Sequence, residues 1–208
     1  MRSVSLLSSL LLMSLMGLGG GVSTACAPLA RPGSTQAIPA SPEYSAWLAT
    51  MENNTRHFEL QHQLETRMAG TATLLSASVH DAYWREYGRI YRLTEAELQA
   101  RRQAEKVQGL EVLVWTTAQD PKLASLELKA GLWQLRLVTA SGEKLAPLKV
   151  ERERQPDRVM TYFFPHLNPL GRTWRVYFPE KSATGGALDE GTLTLELSSV
   201  QGQVALRF

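Results

Sequence analysis

From Ser41 onward the apolar positions follow two different rhythms. Ser41 suits a helix N-cap, Pro42 the first helical position and Glu43 the first turn. Tyr44, Trp47, Leu48, Met51, Phe58, Leu64 and Met68 then recur at mostly helical spacing. The pairs Asn53-Asn54 and Gly70-Thr71 are weak points in that run. A second helical run covers residues 72–91, with Leu75, Val79, Tyr83, Trp84, Tyr87 and Tyr91 along one side. The pattern leaves open whether 42–92 is one long helix or a pair of helices bent near Gly70, and the glycine favours the bend. Thr94 and Glu97 have the spacing of a capping box, in which each side chain accepts from the other's backbone N–H. A third helix is therefore predicted to about residue 107, with Gly109 as its stop.

After Gly109 the period becomes two. Residues 110–115 read as a strand, and Leu132, Trp133, Leu135 and Leu137 as a second. The polar turn Ser141-Gly142-Glu143-Lys144 leads to a third over 145–153. Val159, Thr161 and Phe163 alternate with Met160, Tyr162 and Phe164; Trp174, Val176 and Phe178 form another apolar face. Leu193, Leu195 and Leu197 precede the turn Gln201-Gly202, and Val204, Leu206 and Phe208 close the chain. Short strands divided by turn signals indicate an antiparallel sandwich. The predicted fold class is α+β: an N-terminal helical segment of two to three helices, then a C-terminal antiparallel β-sandwich, immunoglobulin-like or similar.

The first 25 residues differ from the rest. Arg2 is their only charge, and residues 4–18 hold Leu, Met, Ser, Val and Gly with no ionisable group. A positive start, a short apolar run and small residues at its end predict an export signal. The run falls short of the roughly 20 apolar residues that a spanning helix needs. Ser23-Thr24-Ala25-Cys26 resembles the bacterial lipobox, departing from it at Ser23, where an aliphatic residue is usual. That resemblance implies cleavage before Cys26, a diacylglycerol thioether on its sulfur and acylation of the new amine. Ala25-Cys26-Ala27 also fits the A-x-A site of an ordinary secretory signal, which would leave Pro28 first. Ala27 after the cysteine points, by resemblance to enterobacterial sorting, to the outer membrane; a periplasmic or secreted soluble form is the alternative. Residues 26–41, with Pro28, Pro32, Pro39 and Gly33, read as a lipid-anchored tether. The predicted organisation is a signal over 1–25, a tether over 26–41, a helical subdomain over 42–108 and a sandwich over 109–208.

Composition narrows the function classes. The 208 residues are 44% hydrophobic and 20% charged, enough for a packed core. A net charge of +2 with no run of Lys and Arg argues against nucleic acid as a partner. Cys26 is the only cysteine, so no internal disulfide can form. A final aromatic such as Phe208 also ends outer-membrane barrels, but those need strands of about 9–11 residues, longer than most here.

No catalytic residue, metal site or cofactor motif stands out. His57 and His62 are five apart, about 140° on a helix, which does not suit a shared metal. His80-Asp81 has no third ligand in view, and His166 lies in a proline-bounded loop, Pro165 to Pro169. Ser141-x-x-Lys144 has a spacing known from β-lactamases, but it sits in a turn and its companion motifs are missing. The strongest surface candidate is Tyr83, Trp84, Tyr87 and Tyr91 interleaved with Arg85, Arg89 and Arg92, joined by His166 as a loop candidate. Aromatic faces beside guanidinium groups can bind a sugar or a partner protein. Against that stands a plainer reading in which the aromatic side packs on the sandwich and the arginines stay solvated.

The layout, together with Trp133-x-Leu-x-Leu-Val and Trp174-x-Val-x-Phe-Pro, resembles uncharacterised proteobacterial envelope lipoproteins, a resemblance that implies no activity. The expectation is a membrane-anchored, non-catalytic module that binds or scaffolds an envelope protein. A glycan- or small-ligand-binding lipoprotein is the alternative, and a hydrolase with a dispersed site the third.

Overall fold

The computed structural model describes residues 41–208, apart from 63, 106–108, 130, 155, 182–187 and 189–191. The signal, Cys26 and nearly all of the tether lie outside the described residues. Those described belong to one compact unit. It is α+β, with four helices and two antiparallel sheets totalling nine strands among the described residues.

Helix α1 spans Pro42–Asn53, with Ser41 as its cap: the Ser41 hydroxyl accepts from the Tyr44 N–H at 3.1 Å. The expected helix stops there, and the helical reading of 55–75 is overturned. Strands β1 (Thr55–His62) and β2 (Glu65–Leu75) form an antiparallel hairpin instead. Phe58 and Leu60, then Met68, Ala72 and Leu74, face one way at a spacing of two, which a sheet buries and a helix would scatter. The 42–92 segment is thus neither one helix nor a pair of helices bent at Gly70. Helix α2 (Ala77–Tyr91) follows, capped by Ser76, and α3 (Glu95–Ala104) starts at the expected Thr94/Glu97 capping box.

Strand β3 (Leu110–Ala118) pairs with β2, so the stretch expected to be wholly helical contributes two strands to the same sheet as β3. Next come β4 (Gln134–Val138), β5 (Lys144–Leu145) and β6 (Lys149–Arg152). Residues 158–163, read above as a strand, are helix α4 (Arg158–Phe163). The Asp157 carboxylate accepts from the Met160 N–H at 2.8 Å and caps it. Strands β7 (Arg172–Phe178), β8 (Thr194–Ser199) and β9 (Gly202–Arg207) complete the chain.

The first sheet has the order β1-β2-β3-β7-β6 and the second β5-β4-β8-β9. Between them lies one apolar cluster. Leu74, Val112, Val114, Trp174, Val176 and Phe178 enter it from the first sheet; Leu135, Leu137, Leu195, Leu197 and Leu206 enter from the second. Each such side chain removed from water contributes about 1.5–3 kcal/mol. The indole N–H groups inside it are satisfied: Trp133 donates to the Leu123 carbonyl at 2.7 Å and Trp174 to the Ala124 carbonyl at 3.2 Å. At one side the sheets meet through β1 and β9, where Arg56 Nε donates to the Arg207 carbonyl at 2.6 Å.

The other face of the first sheet is covered by helices. Trp47 and Met51 of α1, Val79 of α2, Phe163 and Phe164 at the end of α4, and Leu75 and Leu113 of the sheet form a second cluster. This layer positions the site.

Candidate functional site

Strand parity decides what the helices lie on. Leu110, Val112 and Val114 point into the inter-sheet cluster, so Glu111, Leu113 and Trp115 point to the helices. On β7 the same rule turns Arg175 and Tyr177 outward beside them, Arg175 opposite Leu113 and Tyr177 opposite Glu111. Above, Trp47 Nε1 of α1 donates to the Phe163 carbonyl of α4 at 2.9 Å, tying two helices 116 positions apart in the chain. Tyr83 stands edge-on to Trp47 and to Trp84, with centroids 5.9 and 5.3 Å apart.

A cavity of about 220 Å³ lies between these layers. Its walls are aromatic: Trp47, Tyr83, Trp84 and Phe163. Its floor is ionic, made by Glu111 and Arg175, and His80, Glu105 and Asp157 also line it. Glu111 is 1% exposed, and Arg175 Nη1 meets its Oε1 at 2.5 Å; Arg175 Nε bonds Glu153 as well. A buried carboxylate needs such a partner, because an unpaired one would cost several kcal/mol.

Protonation follows from these surroundings. Burial alone would lower the pKa of Arg175, but Glu111 and Glu153 outweigh it and hold the guanidinium charged well above its usual range. Burial, then the negative charge of Glu105, pushes the Tyr83 hydroxyl far up. Burial, then Glu111, raises Tyr177 to about 12. All three groups keep their ordinary charge at neutral pH.

The residues singled out in the sequence fall in different places. Tyr83 and Trp84 reach the cavity, Trp84 buried and Tyr83 partly so. Tyr87 is partly buried, and Arg101 takes it up: the guanidinium stands 5.7 Å from its ring and donates to its hydroxyl at 2.7 Å. Tyr91 is exposed and rests on Tyr87, centroids 4.4 Å apart. Arg85 is exposed beside a separate groove between α1 and α2. Arg89 is not a free cation, since it donates twice to the buried Glu86 carboxylate, at 2.6 and 2.7 Å. Tyr162 donates to the same carboxylate at 2.8 Å and joins α2 to α4. His166 does not line the cavity. It lies within 3.3 Å of the Thr73 hydroxyl and edge-on to Phe164. Burial, then the nearby charge of His57, lowers its pKa to about 4.

Glu111, Arg175 and Asp157 were not singled out by their sequence pattern. The signal was present for two of them: Glu111 is the one charge in β3, and Arg175 interrupts the apolar run of β7 between Trp174 and Val176. Among the described residues no group of three or more His, Cys, Asp or Glu side chains could hold a metal ion. Nor is any helix among them long and apolar enough to cross a membrane.

Fold and site together define an α+β module with a small aromatic cavity over an ionic floor. No protein-family model, curated protein or solved structure matches the chain.

Proposed function

We propose that the protein is a lipid-anchored envelope lipoprotein, held by Cys26, whose folded body is a non-catalytic module that takes up a small ligand in the cavity beneath α2. One observation carries the reading: aromatic walls and a paired ionic floor surround about 220 Å³ of open space. A concave space lined largely by aromatic side chains with a few convergent polar groups is the usual form of a small-ligand site. Partner binding through the α2 aromatics is the weaker reading. Trp84 is buried, Tyr87 holds Arg101 and Arg89 holds Glu86, so little of that face is open to a partner.

The scaffold is an immunoglobulin-like sandwich on this reading. The order β2-β3-β7-β6 corresponds to A-B-E-D, and β5-β4-β8-β9 to C′-C-F-G. Strand β1 would be an added edge, with α2 and α3 inserted between A and B. The buried Trp133, directly before β4, stands near where that fold keeps its strand-C tryptophan.

Intact mass spectrometry of the mature protein extracted from membranes tests both halves. Under denaturing conditions the expected mass carries lipid on Cys26; a bare chain starting at Pro28 removes the anchor. Under native conditions a small adduct that denaturation releases is expected. Equal native and denatured masses, with no thermal shift from a panel of small cationic, neutral and anionic compounds, remove the ligand-binding reading.

A further inference from the structure

We propose that the cavity selects an organic ammonium cation, a methylated or quaternary amine, over neutral and anionic ligands. The inference rests on the ligand-binding reading above and adds the ligand's class.

Charge gives the first argument. Three carboxylates, Glu105, Glu111 and Asp157, line the cavity against one guanidinium, Arg175, so acidic groups outnumber basic side chains of fixed charge. Arg175 is already neutralised by Glu111 and by Glu153, which stands outside the lining, so it offers an anionic ligand little unpaired positive charge. An anion would therefore meet a lining in which carboxylates outnumber cations.

The walls give the second. Tyr83 meets Trp47 at 68° and Trp84 at 79°, so ring edges and faces turn a corner there. Phe163 stands 4.5 Å from Tyr83. Aromatic faces attract cations through their quadrupole, and sets of such faces are how quaternary ammonium groups are recognised. The same helix already does this internally, with Arg101 over Tyr87 at 5.7 Å. A hydrated metal ion would gain little from these walls. A methylated ammonium carries a diffuse charge on an apolar surface, and suits both the walls and the acidic lining.

Size gives the third. At about 220 Å³ the cavity lies below the roughly 300–1,000 Å³ of most drug-sized sites. It fits a small head group.

The probes are choline and its neutral tert-butyl isostere, dimethylbutanol, titrated calorimetrically into the full mature chain in detergent at constant ionic strength. Choline is expected to bind saturably and about tenfold more tightly than the isostere, the range of one desolvated cation–π contact. Glu105→Gln, at an exposed position, should weaken choline about threefold and leave the isostere unchanged. Tyr83→Leu should weaken choline about tenfold, with a thermal melt to show that it folds. An isostere that binds as tightly as choline overturns the cation class and leaves the cavity reading intact. Binding by neither probe also overturns it, while the native-mass comparison decides the cavity reading separately. A choline affinity that Glu105→Gln leaves untouched places the binding elsewhere and overturns it too.

Discussion

Arg175 Nη1 lies 2.5 Å from Glu111 Oε1 on the helix-covered face of the first sheet, with the carboxylate 1% exposed. The charges come from adjacent strands, so the pair fixes β3 against β7 as well as forming the cavity floor. Replacing Arg175 by Met would leave Glu111 buried without its partner. Urea unfolding should show a loss of about 2–4 kcal/mol, somewhat below a fully buried pair because Arg175 keeps 30% exposure. The double variant Glu111→Gln/Arg175→Met should recover a good part of that loss, since the uncompensated charge is gone.

His166 makes stability depend on pH in a defined window. Its folded pKa is lowered from 6.5 to about 4, first by burial and then by His57. Between those values the unfolded chain binds a proton that the folded chain refuses, so stability falls as pH drops from 6.5 towards 4. Above 6.5 this group has no effect, and below about 4 its contribution is constant. The difference in unfolding free energy between wild type and His166→Gln, followed across that range, should change in step and then level off. Carboxylates titrate in both proteins and cancel from the difference.

Gly70 sits where no side chain fits. A Cβ built on it would stand 2.4 Å from the Trp115 carbonyl oxygen and 2.5 Å from Phe58 Cζ. The backbone oxygen cannot move aside without breaking the β2–β3 ladder. Gly70→Ala should therefore destabilise by about 1–3 kcal/mol or more, visible as a lower urea midpoint with an unchanged slope.

Trp47 contributes one of the hydrogen bonds that tie α1 to α4. Trp47→Phe would keep most of the ring packing on Tyr83, Phe163 and Phe164 but leave the Phe163 carbonyl without its 2.9 Å donor. A loss of about 1–3 kcal/mol follows if no water replaces the indole. Hydrogen exchange should place the change in α1 and α4, with the inter-sheet strands still protected.

How far these relationships can be read from residues alone depends on burial. Strands such as β7 and β8, with one apolar and one mixed face, keep the period of two and are legible. Strand β2 is not: from Gly70 to Leu75 it is buried on both faces, so alternation vanishes and a helix fits the letters equally well. Asn53-Asn54 did mark the true break, since Asn54 is the C-cap of α1. Helix α4 was hidden in the opposite way, because Val-Met-Thr-Tyr-Phe-Phe is apolar enough for either element and the Asp157 cap is one residue. Tyr83 and Trp84 were legible as an aromatic pair, but their setting was not. Nothing local in the sequence brings Glu111 and Arg175, 64 residues apart, beneath them.

The Arg56–Arg207 contact bears on how the body meets other copies of itself. An outer strand with bare backbone groups invites a foreign strand, and the risk grows when molecules are crowded in two dimensions. On this side the outermost strands of the two sheets lie beside each other, and Arg56 of β1 takes up the Arg207 carbonyl at the end of β9. On the other side, β5 is two residues long, and β6 carries Lys149, Glu151 and Arg152 in four positions. A stray strand thus finds an edge partly taken up by a neighbouring arginine on one flank and a short, charged fringe on the other. Dense packing on a surface would then bring collisions without zippering, and the molecules would stay separately folded.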